Sequence, residues 1–277
     1  GTGSTYYFSS FVVSGGYLYE LGGNNGTAWV NTMFRTPVTT DLTGAVWTNL
    51  GNLPTAVPAD VSDPFVIGNN IYIFGGYNTT AAAYVGTICT APVATMNVIA
   101  NWTCPATLPA GANNSLSHAY PVSIGDYVYR FGGYNGTTGV AAVARALLSS
   151  PTSWTSYPNV LPAALLYPNP VIIGNYVYLL GGYSTASGNP VNTIYRALIT
   201  SDLTNPASWT SGGVLPIPVY LFGTAVDASY LYLVGGYGTA GATPNTIYKI
   251  PLGTLAAGGV VAGSWTSAGA FNVSGTT

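Results

Sequence analysis

The sequence predicts an all-β chain folded as a β-propeller of five four-stranded blades. A tyrosine-rich phrase that ends in paired glycines occurs five times, for example as "YVYRFGG" and "YVYLLGG". A Trp-Thr pair follows each copy, and four copies close with Leu-Pro. The copies recur about every 50 residues, a period typical of propellers and solenoids, whereas a β-sandwich has no reason to repeat in this way. The glycine pairs begin at Gly22, Gly75, Gly132, Gly181 and Gly235, and the tryptophans are Trp47, Trp102, Trp154, Trp209 and Trp265.

Each unit contains four short segments with the character of strands. In the fourth unit they read "NPVIIG", "YVYLLGG", "NTIYRALI" and "SWTSG". β-Branched and aromatic residues alternate in them, and Gly, Asn, Pro and Ser bound them. A tight turn with Gly and Asn joins the first two segments, as in a two-residue hairpin. Four strands per unit are the anatomy of a propeller blade. We expect one domain over residues 1–277, with blades at about 4–54, 55–109, 110–162, 163–216 and 217–271.

The order of these segments resembles the kelch repeat: an apolar first strand, Tyr-x-Tyr-x-apolar-Gly-Gly, a third strand and then Trp. The resemblance covers roughly residues 4–271, in five in-register copies. It implies a propeller with one repeat per blade, similar in architecture to the propeller of galactose oxidase. Kelch propellers usually have more than five blades. We therefore expect either a five-bladed ring or a segment of a longer or processed chain.

Three positions of the repeat are predicted to be structural: a tyrosine slot, the paired glycines and a cation slot. One tyrosine slot lies within strand two, which neighbours cover on both faces, so the ring fills space and the hydroxyl needs a partner. The paired glycines allow a sharp turn or the close approach of another backbone. A cation recurs in strand three, where we expect it to bond to backbone carbonyls or a neighbouring blade, and we predict an ion pair between Arg35 and Glu20. The tyrosines are Tyr19, Tyr72, Tyr129, Tyr178 and Tyr232, and the cations are Arg35, Arg145, Arg196 and Lys249.

The loops after strand two and the loops between blades are predicted to carry the function. The kelch resemblance implies that both sets emerge on one face, which we call the rim, and that such domains bind there. These loops are rich in Tyr, Asn and Thr and nearly uncharged, which suits a sugar or a flat protein contact, although the same residues also make good turns. The candidate ligand-binding residues are Tyr77, Asn78, Tyr134, Asn135, Tyr183, Tyr237, Asn113, Asn114, His118, Tyr120, Tyr167 and Asn169.

Enzymatic and cofactor-dependent functions find little support in the sequence. A copper oxidase of the galactose oxidase type needs histidine ligands, and His118 is the only histidine. Glycoside hydrolysis needs two carboxyls that face one bond. The nearest pair is Asp60 and Asp63, which is more typical of a turn and offers at most weak calcium ligands. We therefore predict no catalytic residue, no cofactor and no firm metal site.

Charge is scarce throughout the chain, with 5 Lys plus Arg, 7 Asp plus Glu and a net charge of −2. Nucleic acid is a poor candidate partner, because phosphates require clustered cations, and no apolar run is long enough for a membrane helix. Little self-repulsion develops in acid, so we expect an acid-tolerant protein. Cys89 and Cys104 either form a disulfide, which suits an oxidising extracellular setting, or remain two buried thiols.

These observations favour a non-enzymatic adhesion domain of a cell or virion surface. It would serve host attachment by binding a glycan or a surface protein through the rim. The alternative is a structural module of a surface layer, fibre or capsid decoration, in which the rim contacts neighbouring subunits. A secreted glycan-active hydrolase is the second alternative.

Overall fold

The computed structural model describes residues 10–24, 27–38, 45–54, 64–78, 83–96, 99–109 and 119–270. It confirms the predicted fold class: five four-stranded antiparallel sheets form the blades of a β-propeller. In each blade the strands pair in chain order, so the first and fourth strands are the edges of the sheet.

The blade strands have the following bounds. Blade 1 contains β1 (Ser10–Ser14), β2 (Tyr17–Asn24), β3 (Trp29–Pro37) and β4 (Thr48–Asn52). Blade 2 contains β5 (Pro64–Ile67), β6 (Asn70–Asn78), β7 (Ala83–Pro92) and β8 (Thr103–Thr107). Blade 3 contains β9 (Pro121–Ile124), β10 (Tyr127–Phe131), β11 (Val143–Leu147) and β12 (Trp154–Tyr157). Blade 4 contains β13 (Asn169–Ile173), β14 (Tyr176–Leu180), β17 (Thr193–Leu198) and β18 (Thr210–Val214). Blade 5 contains β20 (Gly223–Val226), β21 (Tyr230–Val234), β23 (Thr246–Pro251) and β24 (Thr266–Ala270).

Shorter elements lie in the connections. Two small ladders pair β15 (Tyr183–Ser184) with β16 (Asn189–Pro190), and β19 (Val219–Tyr220) with β22 (Tyr237–Gly238). One α-helix, α1 (Leu252–Ala257), follows β23. The 3-10 turns are Val93–Thr95, Ile99–Asn101, Pro206–Ser208, Thr239–Gly241 and Ala262–Ser264. In the described ranges, no helix has the length and apolar character needed to cross a membrane.

The chain forms two compact units, and the boundary between them passes through blade 3. The first unit contains blades 1 and 2, and its core includes Met33, Ile71 and Ile73. The second unit contains blades 4 and 5, and its core includes Tyr178, Leu215 and Leu233. Each core consists of inward-facing residues from two adjacent blades, as expected for sheets that pack face to face.

The repeated tryptophan packs against the preceding blade. Trp154 meets the ring of Phe74 edge-on at 5.0 Å, and Trp209 meets Phe131 in the same way at 5.2 Å. Both phenylalanines immediately precede a glycine pair. The indole nitrogen also needs a partner, and Trp209 Nε1 donates to the Leu203 carbonyl at 3.0 Å. In blades 3 and 4 the tryptophan therefore contacts the preceding blade at the same position of the repeat.

The paired glycines adopt the left-handed backbone that the repeat requires. All five pairs have positive φ, for example 55° at Gly181 and 111° at Gly182. A Cβ added to Gly181 would lie 2.5 Å from the Val219 carbonyl oxygen, and one added to Gly132 would lie 2.5 Å from the Leu165 oxygen. Gly182 N–H donates to Val219 O at 3.0 Å. Both predicted reasons for the pair, a sharp turn and a close backbone approach, are confirmed.

The repeated cation lies over an aromatic ring, a contact that the sequence analysis did not predict. Arg35, Arg145, Arg196 and Lys249 lie 4.5, 4.5, 4.8 and 4.4 Å from the ring centroids of Tyr17, Tyr127, Tyr176 and Tyr230. Each tyrosine opens strand two of the same blade, so the cation and the ring face each other across adjacent strands. A cation over a ring face contributes about 0.5–1 kcal/mol at an exposed site. Arg196 also donates from Nη1 to the Ala256 carbonyl at 2.8 Å, as expected for this slot.

The predicted ion pair between Glu20 and Arg35 is wrong. Arg35 pairs with Tyr19 across the two strands, whereas Glu20 pairs with Phe34. Successive side chains of a strand point to opposite faces, so the sheet separates the two charges. Both residues lie in the described part of the chain, and no ion pair joins them there.

Blade 2 departs from this pattern and contains the disulfide. Asn70 and Thr90 occupy the slots of the ring and the cation. The predicted bond between Cys89 and Cys104 is confirmed, and it links strands three and four of this blade. A covalent link therefore lies one residue from the place where the other blades have a cation over a ring.

The segment after β23 covers the outer edge of blade 4. Val260 forms a parallel bridge to Gly213 in β18, and Val214 N–H donates to Val260 O at 2.8 Å. Leu255 of α1 is fully buried, and its carbonyl accepts the Tyr178 hydroxyl at 3.3 Å. One of the repeated tyrosine hydroxyls thus has a backbone partner, as predicted.

Replacing the first glycine of a pair tests the close approach. We expect Gly181→Ala to lower the free energy of unfolding by about 2–4 kcal/mol, because it combines a left-handed alanine with a clash against Val219 O. Gly174→Ala is the matched control, since its φ is 56° and nothing lies within 4 Å of the added Cβ. It should cost only about 1 kcal/mol. Chemical denaturation measures both values, and equal losses would contradict the role assigned to the Val219 carbonyl.

Candidate functional site

Three of the predicted rim residues converge on a tyrosine that the sequence analysis did not single out. The rings of Tyr183, Tyr237 and Tyr167 lie 5.3, 5.8 and 5.6 Å from the ring of Tyr220, centroid to centroid. We call these four residues the tyrosine patch. All of them belong to the second compact unit.

Backbone pairing holds the patch in place. Tyr220 opposes Tyr237 in the ladder of β19 with β22. In the preceding blade, Tyr183 forms a bridge to Leu166, with hydrogen bonds of 2.8 and 2.9 Å in the two directions. In both blades the residue after the glycine pair thus bonds to the loop that enters the same blade. The backbone pairing of each blade therefore continues into these rim loops and fixes the positions of their aromatic residues.

The four rings differ in their access to solvent. Tyr183, Tyr220 and Tyr237 are half-buried, so each keeps part of its ring or hydroxyl exposed. Tyr167 is only 9% exposed, so it packs against Tyr220 and offers little surface of its own. Its φ is 54°, and Leu221 has a φ of 53° at the corresponding position of the next blade. The left-handed backbone is therefore a feature of the linking loop.

The hydroxyl of Tyr220 stays protonated over a wide pH range. Partial burial raises the pKa of this phenol above its usual 10.0, and the neighbouring phenols of Tyr183 and Tyr237 raise it further. A neutral phenol both donates and accepts a hydrogen bond. At neutral pH the patch is therefore an uncharged aromatic surface with hydroxyl groups.

Threonine hydroxyls join two loops beside Tyr183. Thr138 Oγ1 and Thr185 Oγ1 are 2.7 Å apart, and the Gly139 N–H donates to Thr185 Oγ1 at 3.0 Å. A Cβ added to Gly188 would lie 3.9 Å from the Tyr183 hydroxyl, so the tip of the 185–188 hairpin approaches the patch. Hydroxyl groups therefore stand beside the aromatic rings.

The other predicted rim residues fall into several groups. The side chain of Asn169 is engaged, since its Nδ2 donates to Phe222 O at 2.9 Å and its Oδ1 accepts from Thr224 Oγ1 at 3.4 Å. Tyr77 pairs through its backbone with Tyr84 in blade 2. The half-buried residues Asn78, Tyr120, Tyr134 and Asn135 belong to the first unit. Asn113, Asn114, His118, Asp60 and Asp63 lie outside the described residues.

One feature of the sequence points to Tyr220, the residue at the centre of the patch. It lies in the blade-linking stretch "IPVYLFG", at the position that Leu166 occupies in the preceding blade. The preference for Tyr183 and Tyr237 followed from their place after the glycine pairs. Only the ladder between β19 and β22 shows that the linking loop places the Tyr220 ring beside these two residues.

The described carboxylates belong to turns and to one strand. Asp126 and Asp227 belong to hairpin turns before strand two, and Glu20 lies within a strand. Asp202 Oδ1 accepts from the amide and the hydroxyl of Thr204, at 3.0 and 2.7 Å, and so closes a turn after β17. Within the residues that the structure describes, no three His, Cys, Asp or Glu side chains gather into a metal site.

A separate groove of about 380 Å³ lies at the other end of blade 4. Its lining includes Tyr176, Arg196, Ser201, Ser208 and Thr210. Arg196 is already engaged with the Tyr176 ring and the Ala256 carbonyl. The groove includes no carboxylate and no residue of the tyrosine patch.

Comparison with known proteins adds no relative to this description. No protein-family model matches the chain, and no curated protein sequence matches it either.

Asp227 provides a test of behaviour in acid. The Ser229 amide, the Tyr232 hydroxyl and the Tyr230 amide donate to this carboxylate and lower its pKa below the usual 3.8, and Lys249 adds to the effect. Because the folded pKa is depressed, this contribution to stability is complete above pH 3.8 and disappears as the pH falls through the folded pKa.

We expect Asp227→Asn to be less stable than the parent protein at pH 7, because the amide loses the charge and the acceptor for Tyr232. The difference should be smaller at pH 2 than at pH 7, because the parent carboxylate progressively loses its charge as the pH falls through its depressed pKa. Urea denaturation midpoints at both pH values measure it, with Asp202→Asn as a control for another exposed turn carboxylate. A difference that does not change with pH would contradict the assignment. Unfolding of the parent protein by pH 3 would overturn the predicted acid tolerance.

Proposed function

We propose that this chain is a surface attachment domain that binds a glycan through the tyrosine patch. The observation that carries the proposal is the convergence of Tyr183 and Tyr237 on Tyr220. Two blades and one linking loop contribute rings to a single half-exposed surface. Aromatic faces cover the C–H groups of a sugar, and phenol and threonine hydroxyls exchange hydrogen bonds with its hydroxyls.

The rigidity of the patch supports a binding role. Ladders fix the backbone of Tyr220, Tyr237 and Tyr183 before any ligand arrives. A surface ordered in advance loses less conformational entropy on binding. Loops carried on a rigid scaffold are also the usual place for recognition.

The repeats are proposed to be of the kelch type. The glycine pair lies near the end of strand two in blades 1 and 2 and directly follows it in blades 3 to 5. The tryptophan begins or precedes strand four, and one repeat forms one blade. The proposed location is extracellular, at a cell or virion surface. The disulfide between Cys89 and Cys104 is compatible with that location.

A self-assembling structural module is the second candidate, and one observation favours it. All five residues of β24, the outer strand of blade 5, are exposed. An exposed edge strand offers backbone groups that another chain can pair with. In such a module, assembly would depend on concentration, and the protein would show no saccharide preference.

A glycan array tests the proposal. The parent protein should recognise a defined set of saccharides, and Tyr220→Ala should weaken that recognition about tenfold or more, because a central aromatic residue often dominates an interface. Tyr220→Phe should retain part of the affinity, since it keeps the ring and loses only the hydroxyl. Tyr195→Ala is the matched control, because Tyr195 is half-buried in β17 and lies outside the patch.

Circular dichroism of each variant checks that the blades remain folded. If the parent protein recognises no saccharide, or if Tyr220→Ala binds as the parent does, the proposal is wrong. Sedimentation of the same samples then tests self-assembly.

A further inference from the structure

We propose that the tyrosine patch selects neutral saccharides over saccharides that carry carboxylate or sulfate groups. This inference rests on the proposed function and names the ligand class of the same site. It follows from the positions of the five Lys and Arg residues, all of which lie in the described part of the chain.

Four of the five cations lie at the end of their own blades that is opposite to the rim. They occupy the ring-facing slot at the start of strand two, whereas the rim begins after the glycine pair at its end. In blade 4, five residues separate Tyr176 from Gly181, which corresponds to about 17 Å of extended strand. Charges interact weakly over that distance, since the Debye length is about 8 Å at physiological ionic strength.

The fifth cation is not accessible to a ligand. Arg130 lies within β10 and is 1% exposed. Its guanidinium group is therefore enclosed by protein.

An acidic sugar on the patch would meet no positive partner among the Lys and Arg side chains. Its carboxylate would lose water against half-buried phenols, and burying a charge without a counter-charge is costly. The net charge of the chain, −2, adds no attraction. A neutral sugar loses only hydroxyl–water bonds, which the tyrosine and threonine hydroxyls replace.

The neighbourhood of the patch is also neutral. Thr138 and Thr185 are uncharged polar residues of the adjoining loops, and the rings of the patch surround Tyr220. The raised pKa of Tyr220 is consistent with a site that disfavours negative charge. The recognition chemistry is therefore aromatic stacking and hydroxyl hydrogen bonding.

The test uses pairs of oligosaccharides that differ in one charge. Each neutral hexose oligosaccharide is compared with the same compound oxidised at C6 of the terminal residue to a uronic acid, and with its sulfated form. Titration calorimetry or biolayer interferometry measures both affinities at low and at physiological salt. We expect the acidic form to bind at least about tenfold more weakly, and binding of the neutral form to be insensitive to salt.

A designed cation should reverse the preference. Ser187 is exposed at the tip of the hairpin beside Tyr183, so Ser187→Lys places a positive charge next to the patch. It should strengthen binding of the acidic form several-fold in low salt and leave the neutral form within about twofold. Ala228→Lys is the matched control, because Ala228 is an exposed residue of the hairpin before strand two, at the opposite end of the blade.

The outcomes separate this inference from the proposed function. Equal binding of neutral and acidic partners, or a preference for the acidic one, overturns the charge selectivity while the glycan-binding role stands. An equal gain from Ser187→Lys and Ala228→Lys also overturns it, because the effect would then come from overall charge. If no saccharide of either kind binds, the proposed function and this inference are both wrong.

Discussion

The fold depends on the close approach of one backbone to the paired glycines at the end of strand two. In the second unit the Leu165 carbonyl accepts the Gly133 amide at 2.8 Å, and the Val219 carbonyl accepts the Gly182 amide at 3.0 Å. Because each linking loop enters the next blade, these bonds join successive blades through backbone atoms alone. A side chain on the first glycine would meet the same carbonyl. At these two joints between blades the first position of the pair therefore requires glycine.

The rim chemistry follows from the same geometry. The Val219 carbonyl of the linking loop binds Gly182 in blade 4, and the next residue, Tyr220, pairs with Tyr237 after the glycine pair of blade 5. Rings from different parts of the chain are thus brought together without any ionic contact. The cations are used at the other end of the strands, where they cover the rings that open strand two. One end of the blade is consequently aromatic and neutral, and the cations lie at the other.

The fold could be predicted from the sequence because the signals for it are local and repeated. The spacing of the repeats and the alternation of residue types were enough to predict the four strands of each repeat, the tight turns and the disulfide. The errors and omissions concern contacts that spacing does not determine. The alternation of side chains along the strands places Glu20 and Arg35 on opposite faces of the sheet, so the predicted ion pair is wrong. The contact of a cation with a ring depends on cross-strand register. Sequence spacing did not indicate Tyr220, because its contacts join loops of unlike sequence, and it did not indicate the bridge from Val260, after α1, to β18.

Hydrogen exchange of the glycine amides tests the central claim most directly. Gly133 and Gly182 follow the strand-two segments β10 and β14, so a description by sheets alone would leave their amides to exchange as loop amides do. The bonds to Leu165 and Val219 predict protection comparable to that of the strand amides in β14. Exchange of both amides at the rate of an unstructured peptide would contradict the backbone linkage between blades, and with it the support for the tyrosine patch.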